Sequence, residues 1–422
     1  AGQRWREPGG HLVRRRGRAA GFPLIRDAVV VGAGPAGATT ALLLARAGAS
    51  VLLLDRARFP RDKPCSEYLS PATTDVLERL GGEILGAVER ATHARLYGMK
   101  VVAPGGAAMV GRFRGASRPY SLALPRTSFD AILLAAAARA GVEVREGVTV
   151  EDLVSDGGII SGVVGRSGNG KRETYGSRIV VGADGLRSVV ARRLGLVRYS
   201  PPRRFAFTAH VADVAGVDQV GELHVSDRGY VGLGAVGGGI TTVALVLPRR
   251  VVRARARDYR TEFFAELTRF PGLAGRFDPR RLVREVLTTG PFAQWASVAA
   301  VPGALLVGDA ADFFDPFTGQ GIHTALRGAE LVADCVIPGL APGVRASTPV
   351  QSYQRARRRA FRGKWLLERL IGLGVGSPAL TDRVVGRLAR RPDLADLVVS
   401  ATGNIVPAGR VLAPSVLARL LW

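Results

Sequence analysis

The chain has 422 residues, with 59 Lys or Arg against 35 Asp or Glu, so its formal net charge is +24. This length allows two or three lobes, while two cysteines, Cys65 and Cys335, are too few for a disulfide framework and favour a reducing cytoplasm. The basic charge comes without a nucleic-acid-binding module, so we expect no nucleic-acid partner.

The first 23 residues are basic. Arg14 and Arg15 are adjacent, as in a twin-arginine export signal. The apolar run that follows is better explained as the first strand of a sheet than as the apolar segment of a signal. We therefore interpret residues 1–23 as a basic N-terminal arm.

A strand–turn–helix–strand pattern follows the arm. Residues 28–31 form a β-branched run typical of a buried parallel strand, and residues 39–47 predict a helix. A second apolar run at 51–54 ends in Asp55. An acid at the end of the second strand is suited to accept hydrogen bonds from a ribose.

The turn between the first strand and the helix is rich in glycine. Gly32, Gly34 and Gly37 have the spacing that permits a tight turn, close approach to a pyrophosphate and close helix packing. The helix N-terminus adds free N–H groups for phosphate. We predict a dinucleotide site here that includes Asp55 and the adjacent Arg56.

Two further motifs lie between this site and the downstream region. Arg126 precedes Phe129-Asp130 at the start of a helix predicted to reach Ala140. Residues 181–188 read Val-Gly-Ala-Asp-Gly-Leu-Arg-Ser and contain Asp184 and Gly185.

A second glycine-rich element lies far downstream. Residues 305–311 predict a strand running into a turn with an acid, and residues 315–322 form a loop before a helix over 323–336. The candidate residues in this element are Gly308, Asp309, Pro316, Gly319, Gln320 and Gly321.

These four elements, in this order, resemble the FAD-binding oxidoreductases of the p-hydroxybenzoate hydroxylase superfamily. The resemblance implies that Asp309 binds the ribityl chain, that the 315–322 loop lies at the flavin pyrimidine and that Arg126 lies along the phosphates. It links Asp184 and Gly185 to FAD and to reduced pyridine nucleotide. We therefore expect FAD as cofactor and NADPH or NADH as electron donor.

The segment after Asp55 is similar to the Lys-Pro-Cys-Gly-Glu-x-Leu-Ser-Pro segment of the geranylgeranyl reductase-like branch. Here it reads Lys63-Pro64-Cys65-Ser66-Glu67-Tyr68-Leu69-Ser70-Pro71, with Ser66 in place of the glycine. The resemblance implies that Cys65 lies near the flavin and is a candidate catalytic residue, as is Pro316 in the flavin-adjacent loop. The alternative for Cys65 is a small buried apolar residue.

Other branches of the superfamily remain as alternatives. Halogenases carry a Trp-x-Trp-x-Ile-Pro segment, whereas the tryptophans here are isolated at positions 5, 295, 365 and 422. Archaeal lipid reductases often carry a Tyr-x-Trp-x-Phe-Pro strand, and residues 229–236 lack its Trp and Phe. Aromatic hydroxylases share all four FAD elements.

The fold class we predict is α/β: a Rossmann-like FAD domain with an inserted α+β substrate lobe built on an antiparallel sheet, and a helical tail. The FAD domain is discontinuous, over 24–90, 125–199 and 285–343. The substrate lobe occupies 91–124 and 200–284, and the tail 344–422. In the second insert we predict strands at 205–212, 221–225, 230–235 and 240–247 and a helix at 258–270.

The tail is strongly basic, and an apolar stripe runs along its last segment. The stripe consists of Leu412, Val416, Leu417, Leu420 and Leu421. Such a stripe beside arginines suits either a helix that caps the substrate lobe or peripheral contact with a membrane surface.

We expect the enzyme to reduce C=C bonds of an isoprenoid or other hydrophobic small molecule, through flavin reduced by a pyridine nucleotide or another donor. The alternative is a monooxygenase that hydroxylates an aromatic or polyketide-type substrate. A non-enzymatic escort protein of related fold is a third alternative, against which the complete 308–321 element argues. The sequence contains no His/Cys ligand cluster, so we expect no metal.

Overall fold

The computed structural model describes residues 13–14, 24–201, 203–252, 258–340 and 349–421, so most of the basic arm lies outside the described residues. The α-helices within them are Pro35–Arg46, Pro71–Leu80, Gly82–Arg90, Arg126–Arg139, Val189–Arg193, Tyr259–Leu267, Gly321–Val336, Val350–Val375, Pro378–Ala389, Pro392–Thr402 and Pro414–Leu421. Short 3-10 helices are Pro279–Arg281, Gly308–Ala310, Pro316–Thr318, Ile337–Gly339 and Ala408–Arg410.

The largest sheet contains a parallel core. Its strands, in spatial order, are Val13–Arg14, Val148–Asp156, Ile159–Ser167, Arg172–Gly182, Ile25–Val31, Val51–Asp55 and Glu143–Glu146, with Ala304–Leu306 beside Arg172–Gly182 and Ala300–Val301 beside Ala304–Leu306. The Val- and Leu-rich runs predicted at 28–31 and 51–54 are buried on both faces between helices, as parallel strands require. The predicted strand–helix–strand unit is confirmed.

The register of this sheet brings three of the sequence motifs to one edge. Gly182 is aligned with Val31 on one side and with Leu306 on the other. The turns that begin at Gly32, Ala183 and Val307 therefore leave the carboxyl ends of neighbouring parallel strands, where α/β proteins bind ligands.

A seven-stranded sheet forms the substrate lobe. Its order is Leu282–Thr289, Arg204–Ala212, Ile240–Pro248, Gly229–Gly237, Gly221–Ser226, Gly98–Val102 and Ala108–Arg112. The four strands predicted in the second insert are present, and Gly238-Gly239, both with positive φ, make the hairpin turn between the last two.

The boundary placed at residue 284 is wrong. The strand Leu282–Thr289 pairs with Arg204–Ala212, so the second insert extends to the turn at Gly290. The segment before this strand was predicted as a helix at 258–270 and contains no hairpin turn. The sequence therefore did not indicate that the strand pairs with one so far away in the chain. Two small sheets complete the fold, with strands Tyr68–Leu69, Ser121–Ala123 and Ala94–Leu96 in one and Val197–Tyr199, Gln294–Ala296 and Asp312–Phe313 in the other.

The four helices from Val350 to Leu421 are called here the tail helices. The first begins against the FAD domain, where Tyr353 and Phe361 are buried, and the later helices pack against the substrate lobe. Leu394 and Val399 are buried in its core, and the Arg112 N–H donates to Asp396 Oδ1 at 2.7 Å. The apolar stripe of the last segment faces inward, because Leu420 is buried and Leu412 and Val416 pack on the same core. Among the residues described, no helix has the length and hydropathy needed to cross a membrane.

Candidate active site

The glycine turn leaves room for a ligand at one position only. A Cβ at Gly32, whose φ is +99°, would lie 2.5 Å from the Ala183 carbonyl oxygen, and one at Gly37 would lie 1.8 Å from the Gly32 oxygen. At Gly34 the nearest described atom would be an Arg61 guanidinium nitrogen, 3.6 Å away. Gly32 and Gly37 are therefore needed for packing, while Gly34 borders open space.

The helix Pro35–Arg46 begins at this open space. Its first turn carries no acidic residue, and no described side chain caps it. Asp55 holds the turn, since its carboxylate accepts the Ala33 N–H at 2.7 Å and the Ala57 N–H at 2.8 Å. The free N–H groups and the positive end of the helix dipole suit a pyrophosphate. Arg56 is exposed and is not among the described residues that line the adjoining cavity.

Asp309 and Lys63 face this end of the cavity without a hydrogen-bonding partner among the described residues. Burial raises the pKa of Asp309, and the charges of Lys63 and Arg126 oppose that shift. Burial and the Arg126 charge lower the pKa of Lys63. The Lys63 Nζ lies 3.0 Å from where a Gly185 Cβ would be. A polar ligand with hydroxyl and phosphate groups would supply the partners that these side chains lack.

Arg126 lies at the same end and is held in place by a carboxylate. Its guanidinium donates two hydrogen bonds of 2.7 Å to Asp130, which also pairs with Arg61 at 2.9 Å. Burial opposes the charge of Arg126, but Asp130 and Cys65 outweigh it and raise its pKa. Arg126 lines the cavity as a rigid cation, as a phosphate-binding residue would.

Asp184 and Gln320, two predicted cofactor residues, each bind another part of the protein through one side-chain atom. Asp184 Oδ2 accepts the Val189 N–H at 2.6 Å and so caps a short helix, and Asp184 is not among the described residues lining the cavity, although Gly185 is. Gln320 Nε2 donates to the Thr402 carbonyl oxygen at 2.9 Å. The other oxygens, Asp184 Oδ1 and Gln320 Oε1, are buried without a hydrogen-bonding partner among the described residues, so cofactor contact by these two side chains stays a prediction.

The remaining residues of the downstream element border the cavity. These are Gly308, Pro316, Gly319 and Gly321, and they lie beside Asp309. Together with Gly34 and Gly185 they bring three separate motifs to one volume. The residues present therefore fit FAD: the N-terminus of the first helix could hold its phosphates, and Asp309 could bind its ribityl hydroxyls.

Cys65 is half-buried and lines the cavity, so it is not simply a core residue. Its Sγ accepts the Glu67 N–H at 3.3 Å. The hydrogen bond and charge interaction with Arg126 place the thiol next to a fixed cation.

Glu67, which sequence reasoning did not select, connects this loop to the substrate lobe. It is fully buried with φ +60°, and its Oε2 lies 2.5 Å from His210 Nε2. Its Oε1 accepts the Arg126 N–H at 3.1 Å and lies 3.4 Å from an Arg284 nitrogen. The position of Glu67 two residues after Cys65 was a usable signal, but His210 and Arg284 come from distant strands and gave none.

A second polar cluster borders the cavity beyond the flavin loop. Asp315 accepts a hydrogen bond from Arg204 at 2.6 Å and another from the Tyr230 hydroxyl. Burial and the Asp315 charge raise the pKa of Tyr230, which therefore keeps its proton. Lys364 pairs with Glu368 at 2.7 Å on the tail side.

Glu222 forms an ion-pair network at the substrate-lobe wall of the cavity. Arg276 donates to both of its oxygens, at 2.8 and 2.9 Å, and His224 Nε2 lies 2.9 Å from Oε2. Burial alone would raise the pKa of Glu222, but Arg276 and His224 outweigh it and lower the pKa to about 2. The network holds the interior strand Gly221–Ser226 to the loop that contains Arg276, and it does not supply a titrating group near neutral pH.

One cavity of about 680 Å³ is lined by residues of the glycine turn, of the 308–321 element and of both polar clusters. Away from the flavin motifs its walls are mostly apolar, and they are contributed by the seven-stranded sheet and by the tail helices. The apolar lining includes Leu96, Met109, Leu223, Leu233, Val246, Leu367, Ile371, Val385, Leu388, Leu417 and Leu420. Within the described part of the chain, no group of three or more His, Cys, Asp or Glu side chains could hold a metal ion.

Several named proteins are similar in sequence to this chain over most of its length. It is 31% identical over 396 residues to menaquinone reductase of Mycolicibacterium smegmatis, covering 90% of this chain and 92% of the relative. It is 27% identical to digeranylgeranylglycerophospholipid reductase 1 of Methanococcoides burtonii, covering 79% and 80%. Halogenases are also among the relatives.

The fold has close counterparts among solved structures. A flavoprotein/dehydrogenase from Cytophaga hutchinsonii superposes with a TM-score of 0.79 at 23% identity, covering 90% of this chain and 93% of the other. Residues 26–362 match the family model described as FAD binding domain. The chain therefore belongs to the FAD-binding-domain family and is an FAD-dependent oxidoreductase.

Proposed function

We propose that the enzyme reduces C=C bonds in the isoprenoid chain of a hydrophobic substrate. The observation that carries this proposal is the cavity, which leads from the FAD motifs into a long apolar chamber between sheet and tail helices. A chain of isoprene units gains most of its binding energy from burial of apolar surface. The charged side chains on the chamber wall are already paired within the protein, Glu222 with Arg276, Asp315 with Tyr230 and Lys364 with Glu368, so most of the wall offers apolar contact.

The relatives support the same substrate class. Two of them are named as reductases of menaquinone and of a digeranylgeranyl phospholipid, both of which carry long isoprenoid chains. The menaquinone reductase relative covers 90% of this chain.

FAD, when bound, supplies a hydride equivalent to one carbon of the double bond. The other carbon requires a proton, and the Cys65 Sγ–H is the group we assign to donate it. A proton from solvent then restores the thiol, and the Arg126 guanidinium lies beside Cys65. Glu67 positions the loop, because it binds both the Arg126 N–H and His210.

The electron donor in this proposal is NADPH or NADH. Anaerobic mixing of the FAD-loaded enzyme with each nucleotide should bleach the flavin absorbance with at least one of them. If neither reduces the flavin while dithionite does, another donor must replace the pyridine nucleotide in the proposal.

The reaction is tested by incubating the reduced enzyme with a geranylgeranyl compound and with a menaquinone in detergent, without oxygen. Mass spectrometry should show a gain of two hydrogens per reduced bond, with the shift located in the isoprenoid chain. A product with one added oxygen after an oxygen pulse would instead support the monooxygenase alternative. Absence of both products under flavin turnover would exclude this substrate class.

A further inference from the structure

One face of the long helix Val350–Val375 is exposed. This face is basic in the first half of the helix and apolar in the second half. Arg355, Arg359 and Arg362 are exposed in its first half. Leu366, Leu370 and Leu373 follow at spacings of four and three residues, and they are 50%, 41% and 68% exposed. Residues with these spacings share one side of a helix, so basic and apolar side chains form a continuous strip. This strip, residues 355–373, is called the docking face below.

The apolar end of the docking face lies at the rim of the cavity. Leu370 and Leu373 both line the cavity, and among the described residues that line it they alone are exposed. Leu366 is equally accessible and lies one turn away, outside the cavity lining. The apolar chamber therefore opens to the surface between side chains that are themselves apolar.

The charge on the docking face has one sign. The helix contains a single acid, Glu368, which is buried and paired with Lys364. Arg358 and Arg369 add exposed cations beside the strip. A basic strip next to exposed leucines is complementary to a surface that is anionic outside and apolar beneath.

We propose that the docking face binds an anionic lipid membrane, with the arginines at the headgroups and the three leucines in the acyl boundary. In that position the cavity rim faces the bilayer, and a hydrophobic substrate enters without crossing water. The membrane binding stands on the helix alone. Only the entry route rests on the proposed function.

The test uses the full FAD-loaded chain and co-sedimentation with two kinds of vesicle. We expect binding to vesicles containing phosphatidylglycerol in phosphatidylcholine, and at least roughly tenfold weaker binding to pure phosphatidylcholine. Added salt should weaken the binding. If wild-type protein fails to bind the anionic vesicles at low salt, the proposal is overturned.

Matched variants distinguish binding through the docking face from nonspecific adsorption to vesicles by exposed apolar residues. Replacing Leu366 and Leu373 together by Ser should weaken vesicle binding at least roughly tenfold, since two apolar contacts are lost. The control replaces Ile159 and Val283 by Ser, which are 54% and 56% exposed in other elements, and should change binding less than roughly twofold. Flavin content and melting temperature of each variant verify the fold.

The charge is tested in the same way. Arg359→Gln with Arg362→Gln should weaken binding roughly 25-fold, since each basic residue near an anionic surface contributes about 1 kcal/mol, or roughly fivefold. Arg280→Gln, at a side chain 91% exposed in the substrate lobe, is the control.

Equal binding by the leucine variant and its control would refute the docking face. So would a wild-type dimer, measured by sedimentation, that the leucine substitutions dissociate without any vesicle binding. That result would assign the face to a second copy of the chain. Vesicle binding does not require turnover, so failure of isoprenoid reduction would leave this result readable.

Discussion

Gly34→Val should abolish FAD retention without unfolding the protein. The first Cβ atom at Gly34 meets nothing described closer than 3.6 Å, so the apoprotein accommodates it. The branched side chain then occupies the space in front of the helix Pro35–Arg46, where the pyrophosphate must approach. Loss of two charge-assisted hydrogen bonds from helix N–H groups costs about 3–6 kcal/mol, at about 1.5–3 kcal/mol each. Since about 1.4 kcal/mol corresponds to tenfold in affinity, the Kd for FAD should rise more than about a hundredfold.

The assay is titration of apoprotein with FAD, followed by flavin fluorescence, together with circular dichroism and the melting temperature of the apoprotein. Gly168→Val is the matched control, because Gly168 lies in an exposed turn with nothing within 4 Å of its added Cβ. Gly37→Ala gives the opposite contrast, since its Cβ would lie 1.8 Å from a backbone oxygen and should impair folding itself. A Gly34→Val protein that retains full flavin and an unchanged Kd would show that the first helix does not bind the cofactor.

Three further substitutions test other parts of the site. Asp309→Ala should weaken FAD retention at least about tenfold through loss of a charge-assisted hydrogen bond, whereas Asp334→Ala, at an exposed acid near the end of the helix Gly321–Val336, should not; equal flavin content after gel filtration would contradict the assignment. Cys65→Ala should cut turnover strongly with little change in flavin content or melting temperature, and normal turnover with a lowered melting temperature would instead indicate a packing role. Glu222→Gln should remove stability that is present above the unfolded pKa near 4.5 and lost as pH falls toward the folded value of about 2; the shift corresponds to about 3 kcal/mol at neutral pH, and denaturant unfolding at pH 7 and pH 3 should show the difference between variant and wild type shrinking with acid.

The sequence predicted the FAD domain well because its signals are local. A buried strand followed by Gly32, Gly34 and Gly37 specifies both a backbone path and a ligand, and the observed elements match within a few residues. The downstream loop through Asp309 was equally readable. These motifs constrain neighbouring residues in the chain, and no distant contact is needed to recognise them.

The directions of individual side chains could not be read in the same way. Asp184 and Gln320 stand at motif positions, yet one caps a helix and the other bonds to the backbone of residue 402. Those partners depend on packing between distant segments. The Glu67–His210 pair depends on a left-handed backbone at a glutamate, which residue type does not predict.

The substrate-lobe boundary and the role of the tail were also set by distant contacts. The strand Leu282–Thr289 is fixed by its partner Arg204–Ala212, more than 70 positions earlier. The apolar stripe of the last helix was visible, but whether it faced lipid or protein depended on the core it meets. The exposed leucines at positions 366, 370 and 373 lie in a helix that is rich in polar residues. Sequence analysis therefore did not identify them as an exposed apolar patch.

The hydrogen bond from Gln320 Nε2 to the Thr402 carbonyl oxygen links the loop at the cofactor site to the tail helices that line the chamber. If FAD orders the loop that contains Gln320, it must also strengthen the hold of that loop on the tail, and the reverse follows by reciprocity. In the apoprotein the tail helices should therefore unfold locally before the rest of the chain. Proteases should cleave these helices in the apoprotein, and added FAD should protect them. If the tail helices are ordered only when FAD is bound, the chamber forms only in enzyme that can reduce its substrate. The apoprotein would then not bind a hydrophobic substrate that it cannot convert.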